Sequence, residues 1–365
     1  MSMHGSMPRS TWMFPALAVL LFASFTVTGY GFAPSAAGLL FAAVLLAILF
    51  GTVFAAVHHA EAIAERIGEP YGTLLLTLSV TIIEVALIAT IMLGDKAAPT
   101  LARDTVFAVV MIVCNGLVGT CILVGGLRYR EQDFRVSGAN LYLSVLAVLA
   151  TITLILPNYT LTTPGPFYSA AQLGFVSVVT IVLYAVFLYT QTIRHRDYFV
   201  REPAGADHHA APASRGALMT SVGLLLVSLL AVVLLAKKFS LVVDALAAMI
   251  SAPAAFAGTL VALLILLPES VAAVAAARSN DLQKSINLAL GSSLATIGLT
   301  IPAVAGAAYG LDKTLVLGLD QRDTVLLALT FILSMLTFGT GRTNILFGLV
   351  HLVVFAVFML MVFVP

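Results

Sequence analysis

The sequence predicts an all-α polytopic membrane protein with about eleven transmembrane helices: one extra N-terminal helix, then two inverted five-helix repeats. Of its 365 residues, 61% are hydrophobic and only 10% are charged, and the mean hydropathy is +1.07. A soluble domain of this size needs more charges on its surface, so these values indicate a chain surrounded mostly by lipid.

The number of helices follows from the apolar stretches, because a helix needs roughly 20 apolar residues to cross a bilayer. Such stretches run near 13–29, 36–57, 71–93, 105–127, 138–156, 167–190, 217–236, 247–277, 285–306, 324–340 and 343–364. The first of them resembles a signal peptide, since Arg9 precedes it and small residues follow. The ten spans behind it favour an uncleaved first helix.

The domain organisation is predicted from the polar segments between the spans. We expect an N-terminal segment at 1–35, a first repeat at 36–190, a cytoplasmic linker at 191–216 and a second repeat at 217–365. Five spans in each half force the halves into opposite orientations, as in transporters that bind their substrate at the midplane. The linker is rich in Pro, Ala and Gly and is typical of a flexible connection.

Lys and Arg in the loops predict the orientation of the chain. They are in excess on the face that carries the N-terminus, and the positive-inside rule makes this face cytoplasmic. We therefore expect a multi-pass protein of the inner (plasma) membrane with its C-terminus outside. A net charge of +1 gives no reason to expect nucleic acid. Cys114 and Cys121 share one apolar span, so neither a disulfide framework nor a zinc site is expected.

A weak internal similarity supports the inverted halves. Gly72-Thr73-Leu74 precedes Glu84 in the third span, and Gly258-Thr259-Leu260 precedes Glu269 in the eighth. In the next span of each half, the stretch 115–120 corresponds to the stretch 291–296. The shared order of these features around two acids is more informative than any one of them.

Within the predicted spans, the ionisable side chains are Glu84, Glu269 and His351. A carboxylate in hydrocarbon is energetically costly, which makes it a candidate functional group. A protonated glutamate bonded to a neighbouring helix is the structural alternative, but two acids at matching places favour function. His351 has no counterpart in the other half, and we interpret it as a packing or hydrogen-bonding residue.

Two glutamates converging near the midplane make physical sense for ion exchange. Hard cations such as Ca²⁺ bind oxygen ligands, and two carboxylates neutralise one divalent ion. When the cation leaves, two negative charges in a low dielectric are unfavourable, so protons replace it. Pro268 disturbs the helix beside Glu269 and frees a backbone carbonyl. Gly291, Ser292 and Ser293 allow close helix approach, either as part of the site or as a packing face.

A polar cluster at the end of the second span has two interpretations. His58, His59, Glu61 and Glu65 could gather cations or sense pH at a cytoplasmic entry, or they could form an ordinary solvated helix end. His208 and His209 in the linker could bind a metal, but a solvated loop is the preferred interpretation.

Other functional classes fit the sequence less well. A cation channel also places acids in a membrane, but a pore is lined by rings of charge rather than by two matched acids in inverted halves. An intramembrane hydrolase needs a nucleophile and a base or metal at depth, which these residues do not provide. We therefore expect no enzyme activity and no cofactor, with the lipid bilayer, small cations and protons as partners.

Two motif regions carry a resemblance to a known family. The stretch from Glu61 to Leu74, continuing to Glu84, resembles the first α-repeat of calcium/proton antiporters of the calcium/cation antiporter superfamily. The stretch from Leu267 to Pro302 resembles the second. The similarity is greatest to the bacterial ChaA-like branch, described as calcium/proton and sodium-potassium/proton antiporters, and it covers nearly the whole chain.

The resemblance implies an eleven-helix fold in which Glu84 and Glu269 bind cation and proton in turn. The supporting positions that it implies are Thr81, Asn115, Gly116, Thr120, Pro268, Ser292, Ser293 and Thr296. The Gly-Asn pair that commonly precedes each glutamate is replaced here by Val80-Thr81 and Ile265-Leu266. Calcium is the expected substrate, because two carboxylates neutralise one divalent ion. Sodium or potassium is the alternative, because the two amide ligands of the common motif are missing.

Overall fold

A computed structural model describes residues 8–28, 35–68, 71–92, 99–199, 215–311 and 313–364. Its helices are α1 (Arg9–Thr28), α2 (Ala36–Ile67), α3 (Tyr71–Met92), α4 (Leu101–Tyr129), α5 (Val136–Tyr159), α6 (Ala170–Arg194), α7 (Arg215–Met249), α8 (Ala255–Arg278), α9 (Leu282–Gly310), α10 (Gln321–Phe338) and α11 (Ile345–Phe363). In the described ranges, ten helices, α2 to α11, are long and apolar enough to cross a membrane. The prediction of an all-α polytopic membrane protein is confirmed. α1 is helical as predicted but lies outside that set of ten.

Several helices extend beyond their predicted ends. α2 continues to Ile67 instead of ending near residue 57, and α7 continues through Lys237 and Lys238 to Met249. A lysine can remain in a membrane helix because its long apolar stem reaches a polar or aromatic partner. The Lys238 ammonium lies over the ring of Phe25, 5.3 Å from its centroid. The eighth predicted span, 247–277, accordingly begins too early.

The helices form two compact units that cut across the predicted repeats. One unit contains α1, α2, α3 and α7, and the other contains α4, α5, α6 and α8 to α11. In the first unit, α2 packs on α1, α3 and α7, and its side chains Leu45 and Leu49 are completely buried. The predicted boundaries at 1–35, 36–190, 191–216 and 217–365 stay a prediction, and His208 and His209 lie outside the described residues.

In the second unit, α4 is the most buried of the ten membrane-crossing helices. It contacts α8 and α11 extensively. Gly119 and Gly348 allow the close approach to α11, because a Cβ atom at Gly119 would lie 3.0 Å from the Gly348 carbonyl oxygen. Cys114 and Cys121 are buried free thiols in this helix.

A short strand pair fixes one end of α8 within the same unit. β1 (Glu131–Asp133) pairs antiparallel with β2 (Arg342–Asn344). From β1, the buried Gln132 donates hydrogen bonds to the Ala277 carbonyl (3.0 Å) and to Asn280 Oδ1 (3.1 Å). The last turn of α8 has carbonyls without helical donors, so this contact helps to anchor the helix that carries Glu269.

Candidate functional site

The first predicted acid, Glu84, lies on α3 and is only 1% exposed. Thr81, which occupies one of the motif positions, is buried almost one turn earlier on the same helix. Nearby hydroxyls such as Ser79 donate to carbonyls of their own helix, in this case to Leu75 at 2.8 Å. The structure therefore places a buried carboxyl group in the middle of an apolar helix, as the sequence predicts.

The second predicted acid, Glu269, lies on α8 and is half-buried. Pro268 lies within the helix and has no N–H, so it cannot donate to the carbonyl of Leu264 one turn earlier. Ile265 and Leu266, at the positions where the common motif has Gly-Asn, are buried apolar side chains without an amide oxygen. Glu84 and Glu269 belong to separate compact units, and their convergence stays a prediction.

Three mutually packed helices of the second unit carry all the supporting residues except Thr81, which lies on α3. α4, α8 and α9 contact one another pairwise. Two of these helices contain a π-helical turn: Ile112–Leu117 in α4, which includes Asn115 and Gly116, and Thr296–Thr300 in α9. Such turns change the pattern of backbone carbonyl pairing and are frequent at functional sites. The sequence analysis missed both of them. Two further π-helical turns, Thr151–Ile155 in α5 and Thr190–Arg194 in α6, contain no glycine, so glycine is not a general signal for such turns.

The hydroxyls at the supporting positions differ in their availability. Thr120 Oγ1 donates to the Gly116 carbonyl at 2.7 Å and is thereby engaged within its own helix. Ser293 is fully buried, and its hydroxyl has no hydrogen-bond partner in the part of the chain that the structure describes. Ser292 is half-buried beside it. Ser293, unlike Thr120, is therefore a supporting hydroxyl with a free oxygen to offer.

The Asn115 amide, in contrast, is fully engaged. Its Nδ2 donates to Thr330 Oγ1 at 2.9 Å, and its Oδ1 lies 3.2 Å from His351 Nδ1. His351 Nε2 lies 3.0 Å from Thr337 Oγ1. All four side chains are completely buried. His351 is hydrogen-bonded, as the sequence analysis expected, but its partner is one of the predicted site residues.

Two buried acids were missed because they lie one residue outside the predicted spans. Asp104 precedes the span 105–127, and Asp323 precedes the span 324–340; both are buried. Each forms an ion pair with the arginine before it, Arg103 at 2.8 Å and Arg322 at 3.1 Å. Both acids lie in the first turn of their helices, α4 and α10, outside the span interiors in which the sequence analysis found Glu84, Glu269 and His351.

The polar cluster at the end of α2 divides into two parts. Glu61 and Glu65 are exposed, as a solvated helix end predicts. His59 is completely buried instead, with Nε2 3.1 Å from the Thr11 carbonyl of α1. His58 lines a cavity of about 480 Å³ between α1 and α2. The two histidines thus contribute to helix packing in the first unit.

Within the described residues, no three His, Cys, Asp or Glu side chains converge to hold a metal ion. A cation bound by two carboxylates would therefore complete its shell with hydroxyl, carbonyl or water oxygens, which hard cations accept. Ser293 and the carbonyl freed by Pro268 are the candidates in the second unit.

Comparisons with known proteins agree on the fold and the family. The family described as sodium/calcium exchanger protein matches residues 36–193 and 220–364. The chain is 44% identical over 293 residues to the ionic transporter y4hA of Sinorhizobium fredii. It is 38% identical over 296 residues to the sodium-potassium/proton antiporter ChaA of Escherichia coli. Each alignment covers 80% of both chains.

The solved structure of YfkE, named a Ca²⁺/H⁺ antiporter protein, has the same fold. It matches with a TM-score of 0.70 and 18% identity over 97% of this chain and 100% of that chain. The H⁺/Ca²⁺ exchanger CAX matches with a TM-score of 0.70 and 16% identity over 97% of this chain and 89% of that one.

Proposed function

The chain belongs to the sodium/calcium exchanger protein family, and from this premise we propose that it is an antiporter that exports cytoplasmic Ca²⁺ in exchange for H⁺. Cation exchange by a polytopic membrane protein is the function of the family. The ion pair, the direction, the inner membrane and the cytoplasmic N-terminus are the parts that we propose.

The observation that carries the proposal is the pair of glutamates, Glu84 and Glu269, at corresponding places in the two halves of the chain. Together they hold a formal charge of −2, which one Ca²⁺ or two protons neutralise. Since an uncompensated charge in a low dielectric is costly, the site is stable when it holds one of these occupants. Two occupants that exclude each other from one site give obligatory exchange without a second pathway.

A sodium-potassium/proton antiporter is the second candidate. It is favoured by the 38% identity to ChaA, whose name gives that activity, and by the apolar side chain of Leu266 where the common motif has an amide. A monovalent cation can occupy the same site if one carboxyl group keeps its proton, because coupled acids titrate in two steps. Fewer amide oxygens also constrain the size of the bound ion less tightly.

The test is proton movement in proteoliposomes that contain the purified protein and a pH-sensitive dye. We expect Ca²⁺ gradients to drive proton counterflow in wild-type vesicles and not in protein-free vesicles. The apparent Ca²⁺ affinity should rise between about pH 6 and pH 9, because protons compete for the same oxygens. A strong response to Na⁺ or K⁺ without any response to Ca²⁺ would select the second candidate, and an affinity independent of pH would remove the shared site.

A further inference from the structure

Close packing of α11 on α4 brings His351 to the π-helical turn at 112–117. A Cβ atom at Gly119 would lie 3.0 Å from His351 Cβ, and one at Gly116 would lie 3.1 Å from the Phe355 ring. Larger residues at these two places would separate the helices. The glycines therefore serve to bring an imidazole against the backbone of the turn, and the ring also interacts with the backbone of Cys114 inside it.

The hydrogen bonds around Asn115 have a single consistent direction. Thr330 donates its hydroxyl proton to the Leu326 carbonyl at 2.8 Å, so towards Asn115 it acts as an acceptor. The Asn115 NH₂ group is the donor to Thr330, which leaves Oδ1 as the acceptor facing His351. His351 consequently carries its proton on Nδ1, since a neutral imidazole has one donor and one acceptor nitrogen.

The chain of bonds is completed on the far side of the ring. His351 Nε2, which has no proton in this tautomer, accepts from the Thr337 hydroxyl at 3.0 Å. Every nitrogen and oxygen in the path from Thr337 through His351 and Asn115 to Thr330 is then satisfied. A completely satisfied buried network specifies one arrangement of its helices, because losing any member leaves a polar group without a partner.

We propose that His351 is a positioning residue for cation exchange. It holds the Asn115 amide, and through it the π-helical turn of α4, in place beside α8, the helix that carries Glu269. The turn contacts α8 directly, so its shape helps to define the environment of Glu269. In this arrangement Asn115 supports the site through the backbone of its turn rather than as an oxygen ligand. The inference rests on the proposed exchange activity.

The kinetic test compares two substitutions of His351 in proteoliposomes. His351→Leu removes both hydrogen bonds and should raise the KM for the transported cation roughly five- to tenfold, the size expected for the loss of a buried hydrogen bond. His351→Gln can donate to Asn115 and accept from Thr337, so its KM should stay within about twofold of wild type. Equal losses in both variants, or an unchanged KM in His351→Leu, would overturn the proposal.

A double variant tests whether His351 acts through Asn115. If the two residues form one path, His351→Leu combined with Asn115→Leu should raise KM no further than either substitution alone. A KM increase in the double variant equal to the product of the two single increases would show that the residues act independently, and it would overturn the proposal. Phe358→Leu is the matched control, because Phe358 is also buried on α11 but packs edge-on against Phe107 of α4. We expect it to lower the thermal stability and to leave KM unchanged.

Hydrogen–deuterium exchange of a peptide covering 112–117 separates this proposal from the proposed function. The backbone amides of the turn should exchange hydrogen for deuterium faster in His351→Leu than in wild type. Their rate in Phe358→Leu should equal that of wild type. If wild-type vesicles move no cation at all, the proposed function fails. The hydrogen–deuterium exchange rate alone then decides whether His351 holds the turn. An unchanged hydrogen–deuterium exchange rate in His351→Leu would overturn the positioning role, whatever the transport result.

Discussion

The π-helical turns of α4 and α9 lie on corresponding helices of the two halves, at different positions along them, and are contacted by different residues. In α4 the turn Ile112–Leu117 contains Asn115, which accepts a hydrogen bond from His351 and donates one to Thr330. In α9 the turn Thr296–Thr300 is packed at Gly298, where a Cβ atom would lie 2.8 Å from Cβ of Tyr184 on α6. Both turns therefore have a close glycine contact, because a Cβ atom at Gly116 would also lie 3.1 Å from the Phe355 ring. The contact partners differ, and the α4 turn has the side-chain hydrogen bonds of Asn115 in addition.

The difference shows which features the two halves share. Both halves keep an acid on the helix before the distorted one and keep the distortion itself, but the residues that stabilise the distortion differ. A π-helical turn changes the local carbonyl pattern wherever it occurs, whereas any sufficiently specific contact can fix it in place. The shared features are thus the candidates for ion chemistry, and the unshared ones are candidates for support.

The largest effect should come from the shared glutamates. Glu84→Gln and Glu269→Gln should each abolish exchange, because glutamine keeps the shape of the side chain but loses the charge that both cation and proton need. Cation-driven proton movement in proteoliposomes measures this, with the monodisperse elution of each purified variant as the control for folding. Substantial cation exchange by only one of the two variants would mean that the two glutamates are not equally necessary. The halves would then differ in their acids as well as in the contacts of their π-helical turns.

Much of the fold was predictable because it depends on composition and helix length. Eleven apolar stretches correspond to the eleven helices, and the two glutamates could be identified because a carboxyl group inside such a stretch is conspicuous. The buried Asp104 and Asp323 were missed because each lies one residue beyond a predicted boundary. His59, two residues beyond a boundary, was assigned to a polar cluster at a helix end, and its burial was not predicted. Helix ends are where hydropathy changes gradually, so an ionisable residue there is easily assigned to a loop.

The His351 network was not predictable for a different reason. It joins α4, α10 and α11, and its members are far apart in sequence, so only the packing of the helices brings them together. Asn115 was identified as a site residue from the motif resemblance, and His351 was set apart from it because it has no counterpart in the other half. Symmetry between halves indicates shared chemistry, but it cannot indicate a support that only one half uses.

A smaller effect should come from breaking the packed turn of α9. Gly298→Ala places a Cβ atom against Tyr184 and should destabilise the protein by about 1–3 kcal/mol, the typical result of overpacking a core. Gly306→Ala on the same helix is the matched control, since no heavy atom lies within 4 Å of its Cβ position. Thermal unfolding in detergent measures both variants. Equal stabilities would show that the turn is not held by this contact.

The smallest effect should come from the supporting hydroxyls, and it distinguishes the two halves most finely. Ser293 on α9 is fully buried with a hydroxyl that finds no hydrogen-bond partner among the described residues, whereas Thr120 on α4 donates to the Gly116 carbonyl. A free oxygen can join the shell of a hard cation, but an engaged one must first break its own bond.

Ser293→Ala should therefore raise the cation KM about two- to fivefold, in line with the modest net worth of one neutral polar contact. Thr120→Val should leave KM unchanged, because valine has nearly the same shape as threonine and the Thr120 hydroxyl is already engaged within its own helix. Initial rates over a range of cation concentrations in proteoliposomes give both values. An increase in KM for Thr120→Val with none for Ser293→Ala would instead place the supporting oxygen in the first half, on α4.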